Sequence, residues 1–270
     1  MVSIQALGIV RFSYAPTNGF QIAHKCVEDR LKYLFDPARI EERFALFEHV
    51  TLPAIKAQTD QDFTLVIVTS SAIPTPYLER LYHLIDGIPQ IALILKEPRK
   101  HRLAMRQVMR PFKDQSCDII AQFRLDDDDA VAVDFIERTK SAFPKLQEKF
   151  SETGKCALDF NQGYLMNFGD GKCIVRKKQI KQATAGMVIY TRPAHPKTAI
   201  DYAHFKITDF MPLVVDQTPD MFIRTLNSYN DSPNVHALPV PKITITNETH
   251  EILYKRFQIS IPELLKTVRA

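Results

Sequence analysis

The chain has 270 residues, 45% of them hydrophobic and 24% charged, which is enough apolar material for the core of one globular α/β domain. Its net charge of +4 is too mild to indicate a nucleic acid partner, although it is compatible with small anionic ligands. The four cysteines lack the C-x-x-C spacing of structural zinc sites, and neither a signal peptide nor an apolar run of about 18 residues occurs, so we expect a cytoplasmic protein with at most peripheral membrane contact.

Strands and helices alternate through the first half of the chain. Buried strands are predicted at residues 4–12, 63–68, 90–95 and 119–125, where apolar residues form short continuous runs. One amphipathic helix is predicted to begin at Asp36-Pro37. Three more are predicted at residues 76–86, 101–113 and 133–143. Pro53 is expected to kink or restart the first of these helices. The alternation implies right-handed crossovers, so we predict a three-layer α/β/α sandwich around a mostly parallel sheet.

The pattern changes after Pro144. Short strands are predicted at residues 156–160, 163–168, 172–175, 187–191 and 243–246, with a hairpin turn at residues 169–171 and an amphipathic segment at residues 261–268. We therefore predict one domain with two halves, which cover residues 1–145 and residues 146–270.

Four consecutive aspartates, Asp126 to Asp129, directly follow the last strand of the first half. Because ligands bind at the carboxyl ends of strands in α/β sheets, these carboxylates are expected to lie in the ligand crevice. Residues two apart in an extended chain share a face, so Asp126 and Asp128 are predicted to point together, with Asp127 on the opposite side. Two converging carboxylates suit Mg²⁺ or Mn²⁺, whereas the alternative for a bare acidic run is a turn that caps the following helix.

The segment from Leu125 to Asp129 fits the D-x-D motif of GT-A glycosyltransferases, and the chain resembles a family of bacterial rhamnosyltransferases over about residues 11–232. The pieces that carry this resemblance are Arg11-Phe12-Ser13, residues 41–44, Gln58-Thr59, residues 124–129, Arg224 and residues 230–232. The resemblance implies a GT-A-like fold and metal-assisted transfer of a sugar from a nucleotide diphosphate donor to a hydroxyl group of a carbohydrate or glycan acceptor, in surface polysaccharide synthesis. In that scheme residues 1–145 bind the nucleotide sugar and residues 146–270 form the acceptor side.

The same resemblance implies roles for individual residues. Asp126 would face the ribose or the sugar, and Asp128 would bind an Mn²⁺ or Mg²⁺ ion that bridges the diphosphate, with Asp126 and His204 as further ligands. The implied donor-binding residues are Arg11, Phe12, Ser13, Thr69, Ser70, Arg106, Arg110, Asp126, Asp127 and Arg224. For the arginines of the basic helix, a solvated basic face is an equally good interpretation.

The sequence does not identify the general base. Many inverting GT-A enzymes carry a late Glu-Asp pair, and here no such pair occurs after residue 29. Asp209, Asp216 and Asp231 are the candidates, because deprotonating an acceptor hydroxyl needs a carboxylate within hydrogen-bond reach. The resemblance favours Asp231, although the segment Asn230-Asp231-Ser232-Pro233 is also ordinary turn chemistry.

A second basic region surrounds the predicted hairpin. Its cationic residues are Lys172, Arg176, Lys177, Lys178 and Lys181. They suit contact with an anionic acceptor or a membrane surface, and the alternative is a solvated strand edge that charge protects from pairing.

Two other functions remain open from the sequence. A degenerate transferase that only binds a sugar or nucleotide would not need the missing Glu-Asp pair. A phosphatase of the haloacid dehalogenase type also places paired aspartates at a strand end, but it needs a nucleophilic aspartate after the first strand, and residues 4–14 contain none.

Overall fold

The computed structural model of the protein describes residues 2–18, 24–169, 172–227, 229 and 247–268. Its strands are β1 (Ile4–Arg11), β2 (Phe63–Ser70), β3 (Ile91–Lys96), β4 (Ile119–Asp126), β5 (Ala130–Val131), β6 (Lys155–Phe160), β7 (Gln162–Gly169), β8 (Lys172–Gln179), β9 (Met187–Thr191), β10 (Leu213–Asp216) and β11 (Phe222–Leu226). Its α-helices are α1 (Val27–Leu34), α2 (Pro37–Leu46), α3 (Leu52–Lys56), α4 (Thr75–Ile85), α5 (His101–Met109), α6 (Phe135–Ser141), α7 (Gln147–Thr153), α8 (Asn247–Phe257) and α9 (Ile261–Val268).

Seven strands form the central sheet, in the order β10-β6-β9-β4-β1-β2-β3. Neighbours run parallel except for β9, which is antiparallel to both β4 and β6. β1 lies beside β4 with Arg11 opposite Asp126, so the ends of these two strands meet at one edge of the sheet. The four strands predicted for the first half are confirmed within two residues at each end.

Helices cover both faces of this sheet. Side chains of β1 alternate between the two faces, so Ala6 and Val10 pack in the core beneath α2, α3, α4 and α6, whereas Leu7 and Ile9 pack against α5. Gly8 lies between Leu7 and Ile9 in the chain. A Cβ atom at Gly8 would come within 2.3 Å of the Phe123 ring, so a side chain there would displace Phe123. The predicted three-layer α/β/α fold with a mostly parallel sheet is confirmed.

Local sequence signals account for the beginning of α2. The side chain of Asp36 accepts a hydrogen bond from the backbone N–H of Arg39, and Pro37 begins α2, as predicted. Residues 47–51 then form a π-helical turn, and the helix restarts at Leu52, next to Pro53. Within the described residues, no helix combines the length and the apolar composition that crossing a membrane requires.

A smaller sheet has the strand order β5-β11-β7-β8. Its first strand in the chain, β5, comes directly after the turn at the end of β4. β7, β8 and β9 overlap the predicted strands, whereas β5, β10 and β11 were not predicted, because such short strands are specified by their pairing partners rather than by local pattern. β6, β9 and β10 from residues 146–270 join the central sheet. The predicted strand at residues 243–246 and most of the hairpin turn at residues 169–171 lie outside the described residues.

Asp159 on β6 is a buried acid from which we expect a measurable dependence of stability on pH. Its side chain accepts a hydrogen bond from the Gln182 N–H at 2.7 Å, its second oxygen has no partner in the described structure, and the residue is 1% exposed. Burial raises the pKa of Asp159 to about 6. Because the folded-state pKa lies above the unfolded value, the stabilisation is complete below the unfolded pKa and is lost as the pH rises through about 6.

Asp159→Asn is therefore expected to raise the free energy of unfolding by about 2 kcal/mol near pH 7.5 and to have little effect near pH 4. Urea denaturation at both pH values measures this difference. The exposed Asp209→Asn serves as the control, and a loss of stability in Asp159→Asn at both pH values would contradict the prediction.

Candidate active site

A cavity of about 1330 Å³ opens at the carboxyl ends of β1 and β4. Its walls come from the loop after β1, from α2 and α5, from the aspartate run, from the smaller sheet and from residues 180–205. This is the edge at which α/β sheets bind ligands, so the placement predicted for the aspartates agrees with the structure.

The aspartate run does not continue as a strand. β4 ends at Asp126, and the chain then turns, with the Asp129 N–H donating to the Asp126 carbonyl oxygen at 3.1 Å. Asp127 and Asp128 consequently contact the same side chain, Arg43. The prediction that Asp127 points away from Asp128 is wrong, because side-chain alternation holds only while the chain stays extended.

Asp126 pairs with the residue opposite it on β1. Arg11 Nη2 donates to Asp126 Oδ1 at 2.8 Å, and the Asp126 side chain remains 37% exposed. Burial would raise the pKa of this carboxyl, but the guanidinium groups of Arg11 and Arg124 hold it at about 2. Asp126 is therefore an ionised group that reaches the cavity.

His101 completes the surroundings of Arg11. Arg11 Nη1 lies 3.2 Å from His101 Nε2, and because arginine only donates, the imidazole nitrogen accepts. Burial, followed by the charges of Arg11, Arg124 and Arg102, lowers the pKa of His101 to about 3. The imidazole is thus neutral at physiological pH and acts as a fixed acceptor for Arg11.

Arg43 on α2 holds the centre of the turn. It forms an ion pair through Nη2 with Asp127, and its Nη1 donates to Asp128 Oδ2 at 2.7 Å. Asn227 Nδ2 donates to the same Asp128 oxygen at 2.7 Å. Burial of Arg43 would lower its pKa, but Asp127 and Asp128 raise it, so the guanidinium stays charged. Burial raises the pKa of Asp127 to about 6, although Arg43 opposes this shift.

Arg43 was missed as a site residue in the sequence. Arg43 lies beside the apolar stripe of the predicted helix, which contains Ile40, Phe44 and Phe47. A charged side chain that is buried at such a position requires a partner of opposite charge. That position is the signal that could have identified it.

Asp129 ties the turn to the smaller sheet. Its side chain accepts a hydrogen bond from the Thr225 N–H at 2.9 Å, and β5 begins at the next residue. Burial, together with the charges of Asp128 and Asp126, raises the pKa of Asp129 well above its ordinary value. Asp129 is therefore a structural acid of the turn.

Cationic side chains outnumber the carboxylates around the cavity. Arg11 and Arg43 are paired with the aspartate run, and Arg106 is bound to the buried Asp201, with Nε 3.1 and 3.2 Å from the two carboxylate oxygens. Within the described structure, six further cationic residues line the cavity without an ion pair to a carboxylate. They are Arg39, Lys100, Arg102, Arg124, Lys178 and Lys181.

Arg124 lies on β4, two residues before Asp126. Its Nη2 donates to Thr184 Oγ1 at 3.1 Å, and burial lowers its pKa to about 10, against the opposing effect of Asp126. The guanidinium still carries its charge at neutral pH. An anionic ligand in the cavity would supply the counter-charge.

Ser13 in the loop after β1 and Arg39 on α2 lie together on another wall of the cavity. Ser13 has a left-handed backbone, with φ of 47°, and its hydroxyl accepts a hydrogen bond from Arg39 Nη1 at 3.2 Å. Tyr14 lines the cavity beside it. Non-glycine residues in this conformation are uncommon and cluster at functional sites, and the donor-binding role of Ser13 stays a prediction.

The remaining predicted residues divide into those on the cavity wall and those away from it. Arg11, Ser13, Arg106, Asp126, Asp127, Asp128, Arg224 and His204 line the cavity. Phe12 is instead packed in the core against Phe44 and Phe47. Thr69 and Ser70 point to opposite faces of β2, and both are fully buried off the cavity wall because helices cover both faces of the sheet. Arg110 and Asp209 are exposed outside the cavity, Asp216 accepts hydrogen bonds from Thr218, and Asp231 lies outside the described residues.

The donor chemistry of the site fits a divalent cation in part. No group of three or more His, Cys, Asp or Glu side chains in the described part of the chain is arranged to hold a metal ion. Mg²⁺ is commonly held by one or two carboxylates and substrate phosphates, and Asp126 and Asp128 both reach the cavity. His204 Nδ1 donates to the Gln182 carbonyl oxygen at 2.7 Å and burial lowers its pKa, so it is a neutral imidazole oriented as metal-binding histidines often are.

Comparison with protein families finds a match over most of the chain. The family described as "Putative rhamnosyl transferase" matches residues 5–238. No curated protein matches the chain in sequence.

Comparison with solved structures finds proteins of similar chain path. One is S. aureus TarS 1-349 in complex with UDP-GlcNAc, with 10% identity and a TM-score of 0.42, over 92% of this chain and 64% of that one. The complex of the same protein with UDP has 10% identity and a TM-score of 0.39, over 87% and 62%. A protein from Desulfovibrio desulfuricans G20 described as "putative nucleotide-diphospho-sugar transferase" has 13% identity and a TM-score of 0.44, over 100% of this chain and 98% of that one. The chain thus spans less than two thirds of the two TarS structures.

Proposed function

The chain belongs to the putative rhamnosyl transferase family, and from this premise we propose that it transfers a sugar from a nucleotide diphosphate donor to a hydroxyl group of a carbohydrate acceptor. Family membership agrees with the resemblance predicted from the aspartate motif and with the glycosyltransferase class.

The observation that carries this proposal is the excess of unpaired cations around the aspartate turn. Arg102 and Arg124 line the cavity at the strand ends without a carboxylate partner, and Lys100 does the same in the described structure. A diphosphate carries the opposite charge in a compact form that arginine binds well. The cavity therefore suits a nucleotide diphosphate better than a neutral metabolite.

The proposed reaction exchanges one bond to the sugar for another. The bond between the anomeric carbon and the diphosphate oxygen breaks with its electron pair on the leaving group, and the acceptor oxygen bonds to that carbon. Arg102 and Arg124 stabilise the negative charge that develops on the leaving diphosphate. The acceptor proton passes to a carboxylate base, for which we retain Asp231, while Ser13 and Arg39 lie on the proposed nucleoside side.

Metal assistance is part of the proposal. Asp126 and Asp128 would hold an Mn²⁺ or Mg²⁺ ion, with His204 as a further candidate ligand, and such an ion supplies Lewis-acid neutralisation of the leaving diphosphate. Asp126 stays ionised for this role because Arg11 and Arg124 lower its pKa.

The donor sugar and the biological context are proposed from the family description and from the chemistry of the substrate. We propose rhamnose as the donor sugar on the basis of the family description, and surface polysaccharide synthesis as the context. The use of a nucleotide-activated donor supports a cytoplasmic site of action.

A second candidate function is a non-catalytic module that binds a nucleotide sugar. The observation that favours it is the pairing of the carboxylates with Arg11 and Arg43, which neutralises the turn without a metal ion. The two functions differ in whether metal changes nucleotide binding.

A thermal-shift screen of UDP, dTDP and GDP, with and without Mn²⁺, tests the proposal. The correct nucleoside diphosphate is expected to raise the Tm by about 5–10 °C at about 100 times its Kd, and Mn²⁺ is expected to enlarge the shift. A nucleotide response that Mn²⁺ leaves unchanged favours the non-catalytic module. No response to any of the three nucleotides, with or without Mn²⁺, counts against both functions.

A further inference from the structure

One face of the smaller sheet forms a wall of the cavity. In the antiparallel pair of β7 and β8, Leu165 lies opposite Arg176 and Gly163 lies opposite Lys178, and opposite residues share a face. Leu165 and Lys178 both line the cavity, which identifies this face as the inner one.

The neighbouring lysine lies on the outer face. Lys177 is opposite Tyr164, and both contact Asp220, with Lys177 Nζ 2.9 Å from Asp220 Oδ1 and the Tyr164 hydroxyl 2.7 Å from Asp220 Oδ2. Lys177 therefore has a carboxylate partner away from the cavity. Lys178 is exposed at the cavity and forms no ion pair with any described carboxylate.

Lys181 extends the same wall beyond the end of β8. It is exposed, lines the cavity and likewise forms no ion pair in the described structure. The next residue, Gln182, is held in a left-handed conformation with φ of 57°, and its N–H donates to Asp159. The backbone that carries Lys181 is thus anchored to the central sheet.

An exposed aromatic ring also lines the cavity. Phe205 lines it with 65% of its surface exposed. The flat apolar face of such a ring is suited to packing against the C–H groups of a sugar.

The cavity is larger than one donor molecule requires. Small-molecule sites usually enclose about 300–1,000 Å³, whereas this cavity encloses about 1330 Å³. In the smaller sheet, β8 is two strands from β11, which at about 4.8 Å per strand places it on the order of 10 Å away from the strand that binds Asp129. A second substrate therefore has space beside β8, away from the aspartate turn.

We propose that the acceptor is a sugar with an anionic group, either a carboxylate or a phosphate, which Lys178 and Lys181 bind while Phe205 packs against its ring. This inference rests on the proposed transferase function and specifies its acceptor. The two lysines determine acceptor specificity, and the donor diphosphate is bound by other residues.

The test measures binding of three probe sugars, glucose, glucuronate and glucose 6-phosphate, to the full chain by NMR titration with saturating inorganic pyrophosphate present. At least one of the two charged sugars is expected to bind about tenfold more tightly than glucose, and which of them does so distinguishes a carboxylate from a phosphate. The double variant Lys178→Gln/Lys181→Gln should lose this preference, whereas Lys177→Gln, the matched control on the outer face, should keep it.

Equal binding of all three sugars, or a preference for charged sugars that survives in the double variant, would overturn the acceptor assignment. Failure of the transferase function itself has a different signature, the absence of any thermal shift with nucleoside diphosphates. The double variant should retain the nucleotide-induced shift of the unmodified protein, which also verifies that it is folded.

Discussion

Replacement of Arg43 by alanine is expected to lower the free energy of unfolding by about 3–5 kcal/mol, because removing one partner of a buried ion pair leaves uncompensated charge behind. Arg43 contacts both Asp127 and Asp128, whose side chains are 3% and 5% exposed, and its own side chain is 11% exposed. Solvent therefore screens these charges very little. Without the guanidinium, two neighbouring carboxylates would have to be protonated or reach water.

Urea denaturation measures this loss, and Arg138→Ala is the matched control. Arg138 pairs with Asp134 one helical turn away, and its side chain is 41% exposed, so its removal should cost at most about 1 kcal/mol. Arg43→Lys should recover only part of the lost stability. The ammonium group restores a positive charge, but it cannot reach both carboxylates as the planar guanidinium does. Equal losses for Arg43→Ala and Arg138→Ala would show that the turn does not depend on Arg43.

Replacement of Asp126 by asparagine is expected to reduce donor turnover by about 10²–10³-fold, the usual effect of removing one electrostatic contact at a reacting centre. Asp126 is the aspartate of the turn whose side chain is more than one third exposed, and it is directed to the cavity. Its removal should cost at most about 1 kcal/mol of stability, since the ion pair with Arg11 is partly solvated. Release of nucleoside diphosphate from a nucleotide sugar measures the turnover.

The pH profile gives an independent check on Asp126. Its folded-state pKa of about 2 is below the ordinary value, so the stability and the charge it contributes are present above the unfolded pKa and are lost as the pH falls through about 2. Any acid limb of activity above pH ~4 must therefore arise from another group, so the residual activity of Asp126→Asn is expected to show that limb at the same pH as the unmodified protein. Asp118→Asn, at an exposed position that contacts Ser3, is the control. Unchanged turnover in Asp126→Asn would remove this residue from the site.

Some features of the site follow from local sequence. The strand that ends at Asp126 could be predicted because its apolar run and the polar residues behind it are adjacent in the chain. The same holds for the start of α2 at Asp36-Pro37. The position of the aspartates at the ligand edge then follows from the general behaviour of parallel sheets.

Other features could not be obtained in this way. Whether Phe12, Thr69 and Ser70 face the cavity or the core depends on how β1 and β2 pack against the helices, and all three are buried. The extended-chain rule placed Asp127 away from Asp128, whereas the turn after Asp126 brings both to Arg43. A backbone turn of two residues changes which side chains converge, and no periodic pattern records it.

By itself the sequence determined the order of β1 to β4, the junction at which the aspartates stand and the family to which the chain belongs, because each depends on residues that are close together or on a recognisable motif. Tertiary structure alone decided which cations accompany the aspartates. Arg11, Arg43, Arg124 and Lys178 come from β1, α2, β4 and β8, and only folding brings them around one cavity. The charge balance of that cavity is a sum over distant positions, and electrostatic interactions depend on distance in space rather than on separation along the chain.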